Sequence, residues 1–500
     1  MALLCLLYYT FKYNKHSSGN YFIIIDPRHA GYKMAVDLSC VCFFMKIKEI
    51  FKAKPYSHLD YKKDIKNLEK NIKDPKWIAK HGFLPLIHIT LRIKKREGHL
   101  KPFTFKNREI FYSSHTDSYI YQYYADLIEK KYEDYLAKNG FSNVPTAYRS
   151  LNGKCNIDFA KEAFDFIKQQ KDAIVFVTDF HSFFDSLDHK TLKQNLCKIL
   201  GTDKHLSDDN YALYKSLTNA CYFDLEDIAI HKNVTRKSLQ RGKKIPKILL
   251  KPDVMRDFKK EHLKFYSDLI GSSEKGIPQG TSVSAVYANV YMIDFDKQMS
   301  DYVNSVHGFY RRYSDDIICV VPSSEKDSLD SIFERLRRYI NVEISSKKTK
   351  RFHISDGKIE ACISKNNESE DKRLILEYLG FSFDGKRILL KDGTLNKYYK
   401  KLDNRLYLMK TLYEKKGKVV GKKHFYKYYS HLGEASRIRY IKKYPSGKNT
   451  YKHSNFFSYV NKASQIMDNT EIKHQLSRHW KHIHDFLNNI EENSRDGGDS

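Results

Sequence analysis

Two adjacent aspartates, Asp315 and Asp316, sit inside "FYRRYSDDIICVV" (309–321), between two runs of aromatic and β-branched residues. The flanks read as the strands of a buried hairpin, with the acids at its turn. Charges this close to an apolar hairpin are costly unless a cation neutralises them. A third acid, Asp179, closes the continuous apolar run of "DAIVFVTDF" (172–180), which reads as a buried strand. Hard divalent cations take carboxylate oxygens, and Mg²⁺ usually keeps only a few, leaving other positions to substrate phosphates. Two such ions about 4 Å apart can stabilise the attacking and leaving oxygens of an in-line phosphoryl transfer. Asp179, Asp315 and Asp316 are therefore the candidate ligands for two Mg²⁺ ions, with Mn²⁺ as the substitute. An Asp-Asp turn is common in isolation, so the case rests on its context.

Several elements must position these acids. In "IDFAKEAFDFIKQQ" (157–170), Ala160, Ala163, Phe164 and Ile167 share one helical face, and Asn156 is the expected cap. "GIPQGTSVSAVYANVYMIDFD" (276–296) reads as a Gly/Pro turn leading into a helix. "LEYLGFSFDGKRILLKDG" (376–393) reads as a second hairpin turning at Asp384-Gly385. Residues 395–490 read as helical, basic and rich in Tyr and His. The tail "EENSRDGGDS" (491–500) is expected to be disordered.

Charge narrows the partner. Lys and Arg number 88 against 60 acids, a formal net charge of +28, and nucleic acid is the default partner of such a surplus. No clear basic amphipathic anchor or lipidation motif supports a membrane partner, and "MALLCLLYY" is too short to span a bilayer. Residues 231–262 hold 11 Lys or Arg against 3 acids, which suits a solvated insertion or a nucleic-acid contact. In the C-terminal region, "YYKKLDNRLYLMKTLYEKKGK" interleaves aromatics that can stack on bases with cations that can hold phosphates. The same rings also suit a helical core. Trp480 reads as a packing anchor, and His474, His479, His482 and His484 lack ligand spacing on one face. The 8 cysteines, Cys155, Cys197, Cys221, Cys319 and Cys362 among them, form no CxxC pair. Reduced thiols in a cytoplasmic protein are expected.

Taken in order, these segments resemble the palm motifs of reverse transcriptases. "DFHSFFDSLDH" from Asp179 is similar to motif A, "IPQGTSVSA" to motif B and Tyr313-Ser314-Asp315-Asp316 to the YxDD box. "SSKKTK" (345–350) is similar to motif D and "YLGF" (378–381) to motif E. "AYR" (147–149) resembles the fingers motif that grips the incoming triphosphate. The resemblance spans roughly 80–390 and departs from the family at Ser284-Ala285, where SP is common, and in the long basic stretch between motifs A and B.

The resemblance implies roles. Asp179 and Asp315 would be the principal metal ligands, with Asp316 beside them. Lys348 would protonate the departing pyrophosphate. Phe184 would be the ring that collides with a ribose 2′-hydroxyl. Gln279 and Gly280 would lie against template and nucleotide, and Arg149 would pair with the triphosphate, with Arg108 the weaker candidate for that task.

The expected fold is α+β, a right-hand polymerase with fingers, a palm built on an antiparallel sheet and a helical thumb-like region. The expected domains are a misassigned or disordered extension (1–44), an N-terminal region with fingers (45–170), a palm (171–394) with a basic insertion at about 202–270, and a thumb-like domain (395–490). The expected activity is RNA-directed DNA polymerisation, adding dNTPs to a 3′-hydroxyl. The absence of recognisable RNase H, HNH, zinc or integrase segments adds a resemblance to the defence-associated (DRT-type) bacterial enzymes. That resemblance implies an antiphage role with a noncoding RNA, and admits a homo-oligomer or a partner defence protein. A template-independent or protein-primed nucleotidyl transferase and a retroelement-derived enzyme are the alternatives.

Overall fold

The computed structural model describes residues 13–15, 21–23, 51–96, 103–241, 246–345, 348–362, 375–417, 420–430 and 455–492. The chain divides into two units, Met1–Lys52 and Ala53–Ser500. In the first, β1 (Tyr13–Lys15) and β2 (Tyr21–Ile23) pair antiparallel, with Tyr13 opposite Ile23. The rest of the extension expected over 1–44 lies outside the described residues, as does the tail from 493 onward.

The second unit is α+β. Its strands are β3 (Leu86–Arg96), β4 (Phe103–Tyr112), β5 (Asp172–Asp179), β6 (Cys221–Asp224), β7 (Lys264–Phe265), β8 (Phe309–Tyr313), β9 (Asp316–Pro322), β10 (Lys350–Ser355), β11 (Lys358–Ala361), β12 (Leu376–Tyr378), β13 (Phe381–Phe383) and β14 (Ile388–Leu390). The central sheet runs β11-β10-β5-β9-β8, with antiparallel neighbours throughout. β5 is interior, which explains its unbroken apolar sequence: both faces are covered. On one face the helix Asn156–Lys168 sets Ala160, Ala163, Phe164 and Ile167 against Val175, Ile318 and Val320. On the other, Phe333 meets Phe176 and Phe295 at ring separations of 4.9 and 5.7 Å. Phe295 and Phe333 come from the helices Ile293–Ser305 and Lys326–Tyr339.

Two local expectations change. The cap of the helix Asn156–Lys168 is Cys155, whose N–H donates to Asp158 (2.8 Å). The Asn156 amide instead donates to the Leu379 carbonyl (3.0 Å), tying the helix to the β12–β13 turn. The segment 376–393 is a three-stranded meander, β12-β13-β14, because it turns at Leu379-Gly380 as well as at Asp384-Gly385.

The basic stretch between motifs A and B folds onto the N-terminal sheet, whose order is β4-β3-β6-β7. β6 lies parallel to β3, and Leu239, Leu249, Leu250 and Phe258 are buried with Ile87 and Phe223. Its cations Lys232, Lys237, Lys247, Lys251, Arg256, Lys259 and Lys260 remain exposed. Apolar spacing thus anchors one side while the charge faces water. Farther on, the helices Asp392–Lys416, Lys422–Tyr429 and His479–Glu492 bury Leu402, Leu406, Met409, Phe425, Ile483 and Leu487 together. Trp480 packs on that cluster and stacks near Tyr426, as a packing anchor should. Residues 431–454 of the C-terminal region lie outside the described residues. Among the described residues no helix is long and apolar enough to cross a membrane.

Candidate active site

Antiparallel pairing brings the C-terminal end of β5 to the N-terminal end of β9. Asp179 therefore stands opposite Asp316 in register. The Phe180 N–H donates to the Asp315 carbonyl (3.2 Å), closing the junction, and Ser314 turns the hairpin with φ 61°. Asp179 is 3 % exposed. Its Oδ2 accepts from the Lys348 ammonium, and its Oδ1 is buried without a hydrogen-bond partner. Ser345 N–H donates to the Asp179 carbonyl (2.9 Å), and Thr349 and Thr178 share a hydroxyl bond (2.7 Å), so the residues around Lys348 are laid along β5. Residues 346 and 347 of this motif lie outside the described residues. Asp316 is reached by solvent but hemmed in by protein. Burial, reinforced by the Asp315 charge and partly offset by Lys391, pushes its carboxyl up to about 6.

The expected three-carboxylate cage is not assembled. Among the described residues no three His, Cys, Asp or Glu side chains converge closely enough to hold a metal ion. Lys348 already supplies a positive charge to Asp179. The unpartnered Oδ1 of Asp179 and the raised pKa of Asp316 nevertheless mark negative charge that a divalent cation would satisfy, so the donor set fits such an ion.

A second group of expected residues forms one wall. The carbonyl of Phe184 accepts from Ile277 N–H (2.9 Å), and the carbonyl of Gln279 accepts from Phe111 N–H (2.9 Å). The PQG turn is thus held between the segment after Asp179 and β4. Gly280 has φ +131°, and a Cβ there would lie 2.1 Å from the Phe111 carbonyl oxygen. Only glycine fits, and the backbone it admits is that of Phe111. Thr281 caps the helix Ser282–Tyr291, and the Ser284 hydroxyl donates to the Pro278 carbonyl (2.7 Å). Phe183 is the buried member of its pair of rings, while Phe184 is only half-buried. Arg108 is exposed on β4.

Arg149 is placed differently from the expectation. Its side chain is 1 % exposed, and its fork holds the Glu133 carboxylate (Nε–Oε1 2.6 Å) and the carbonyls of Ser142 (2.6 Å) and Pro145. Those bonds engage the face that a triphosphate would need, so Arg149 is a structural anchor here.

Sequence reasoning missed the residue that sets the turn. Arg312 is the largest fully buried side chain, and it pairs with Asp296 (Nη2–Oδ2 2.6 Å, Nε–Oδ1 2.9 Å), both side chains 0 % exposed. It also donates to Asn289 Oδ1 (3.2 Å) and to the Ser314 carbonyl (3.0 Å). Burial opposes its charge, but Asp296 outweighs burial and raises its pKa above the ordinary value. The available signal was an arginine at an inward strand position beside the acids, with Asp296 on the preceding helix.

Comparison with known proteins bears on this arrangement. Residues 243–383 match the family described as "Reverse transcriptase (RNA-dependent DNA polymerase)". No curated protein matches the chain. A structure of apo telomerase from Candida tropicalis, truncated from its C-terminal domain, is 12% identical with a TM-score of 0.38, covering 61% of this chain and 55% of that one. A structure of Candida albicans telomerase with a TWJ fragment of telomeric RNA is 13% identical with a TM-score of 0.36, covering 86% of this chain and 64% of that one. The chain thus spans between about half and two thirds of the length of those two telomerases. The matched segment 243–383 contains the PQG turn, the Asp315-Asp316 hairpin and Lys348. Asp179 lies upstream of it and reaches the same site through the β5–β9 pairing.

Proposed function

We propose that this chain, whose residues 243–383 match the reverse transcriptase family, is an RNA-directed DNA polymerase acting in the cytoplasm. The observation that carries the reading is the register of Asp179 against Asp316, with Asp179 Oδ1 buried and without a hydrogen-bond partner. Asp179 and Asp315 would hold divalent ions, Mg²⁺ by their hardness, with Asp316 in the same field. Bound there, two such ions would supply charge stabilisation to the attacking and leaving oxygens.

The protein's own groups do the rest. The 3′-hydroxyl oxygen of the growing strand forms a bond to the α-phosphorus of a dNTP as the bond to pyrophosphate breaks. The hydroxyl proton leaves to solvent, and Lys348, held beside Asp179, donates a proton to the departing pyrophosphate. Phe184 excludes a ribose 2′-hydroxyl, and Gln279 with Gly280 shapes the wall on which template and nucleotide rest. The partners are an RNA template, dNTPs and the DNA product.

The physiological role we assign is antiphage defence with a noncoding RNA, supported by the ordered motif set of the sequence. The test is to purify the protein with its nucleic acid, supply Mg²⁺ with each labelled dNTP or NTP, and sequence product and bound RNA. DNA complementary to the bound RNA supports the reading, and a homopolymer matching no RNA overturns it in favour of a template-independent transferase. Asp315→Ala with Asp316→Ala should abolish synthesis and phage protection while leaving the melting transition nearly unchanged. Protection retained in that variant would falsify the enzymatic account. Phe184→Ala should admit ribonucleotides, read as the ratio of dNTP to NTP incorporation.

A further inference from the structure

Tyr148 has no role in the scheme so far, yet the fold holds it in a demanding way. Its φ is 60°, a left-handed conformation that bulky side chains rarely adopt, and the residue is 45% exposed. Both neighbours in the chain are pinned. The Ala147 carbonyl accepts from Asn289 Nδ2 (2.9 Å), and Arg149 is locked onto Glu133 and two backbone carbonyls. The Tyr148 hydroxyl accepts from the Ser314 hydroxyl (3.2 Å), and Ser314 is itself left-handed, with φ 61°, immediately before Asp315. Asn289 also accepts from Arg312, which donates to the Ser314 carbonyl, so one buried network fixes both the Tyr148 loop and the aspartate turn.

A residue in the left-handed region, nearly half open to solvent, is thus held beside the aspartate turn. We infer that Tyr148 is a stacking platform for the terminal nucleotide of the growing strand. The inference rests on the polymerase reading above. Two nucleotides meet in that reaction, and Phe184 and Tyr148 sit on different elements that lead into the acids. Phe184 follows Asp179 on the β5 side, where it adjoins the PQG turn assigned to the incoming nucleotide, whereas Tyr148 contacts the β8–β9 turn. A base presents a π-face to such a ring whatever its identity, which suits a strand whose last residue changes at every step.

The test uses the full-length protein and a DNA strand annealed to RNA, carrying 5-iodouracil at its 3′ end. Irradiation should crosslink that base to Tyr148, identified by mass spectrometry, and crosslinking at other residues alone overturns the inference. In steady-state extension, Tyr148→Asn removes the ring while tolerating the left-handed backbone. It should raise KM for the primer strand roughly tenfold, the loss expected of one stacked base, and leave KM for dNTP within about twofold. Tyr148→Phe, which keeps the ring, should stay within about twofold of wild type in both. A changed dNTP KM with an unchanged primer KM overturns the assignment. If wild type extends strands and Tyr148→Asn matches it, only this inference fails. If wild type neither binds nor extends the strand, the polymerase reading fails and the inference with it.

Discussion

At the residue scale the site depends on one buried ion pair as much as on its acids. Arg312 and Asp296 are fully enclosed, so each is tolerated only because the other and their hydrogen bonds are present. Replacing Arg312 alone with Met should cost about 3–5 kcal/mol, read by denaturant titration, because Asp296 is left charged in an apolar setting. Replacing both, Arg312→Met with Asp296→Leu, should recover much of that stability but not the activity, because the Ser314 carbonyl loses its donor and the Asp315 turn its brace. Equal loss of stability in the single and double variants would contradict the pairing argument. Arg149 carries the same lesson in reverse. An arginine in a motif-like context looks like a phosphate ligand, yet its partners are Glu133 and two carbonyls.

At the element scale, the N-terminal sheet is clamped by a histidine. His88 on β3 is 5 % exposed and bonds Asp224 on β6 through Nδ1 and Glu109 on β4 through Nε2 (2.7 Å). Its ring stacks on Phe111, 4.7 Å away, whose N–H holds Gln279 of the PQG turn. Burial opposes protonation of His88, but the bonds to Asp224 and Glu109 outweigh it and raise the pKa. A raised folded value contributes stability that is full below the ordinary imidazole pKa of about 6.5 and is lost as pH rises through the folded value. Above that, one ring nitrogen no longer donates and one carboxylate loses its partner. His88→Gln should therefore destabilise by about 1–3 kcal/mol at pH 6, with a smaller difference at pH 9. A pH-independent difference in melting temperature would refute the charged clamp. Asp224 carries no local signal that it meets His88, because β3 and β6 pair across a long intervening stretch of chain.

At the scale of the whole molecule, the +28 charge should govern nucleic-acid affinity. Counterion release makes log affinity fall linearly with log salt, and six or more phosphate contacts imply roughly a thousandfold loss between 50 and 200 mM salt. Binding of an RNA–DNA hybrid to the Asp315→Ala, Asp316→Ala protein should show that slope, since no phosphate-binding cation is removed. A flat salt response would mean that the exposed cations of the 231–262 stretch do not bear on the strand.

Local pattern was enough for much of this protein. An unbroken apolar run announced β5, the aromatic and β-branched runs flanking Asp315 and Asp316 announced a hairpin, and the PQG turn announced the helix behind it. The acids themselves were legible because charge at the end of a buried run is rare without a use. Distance along the chain hid the rest. That Asp179 faces Asp316 and that β6 lies beside β3 are consequences of pairing between remote segments. Hydrogen-bond partners and burial are properties of the folded neighbourhood, so only the tertiary structure could turn Arg149 into an anchor and bring Tyr148 to the edge of the site.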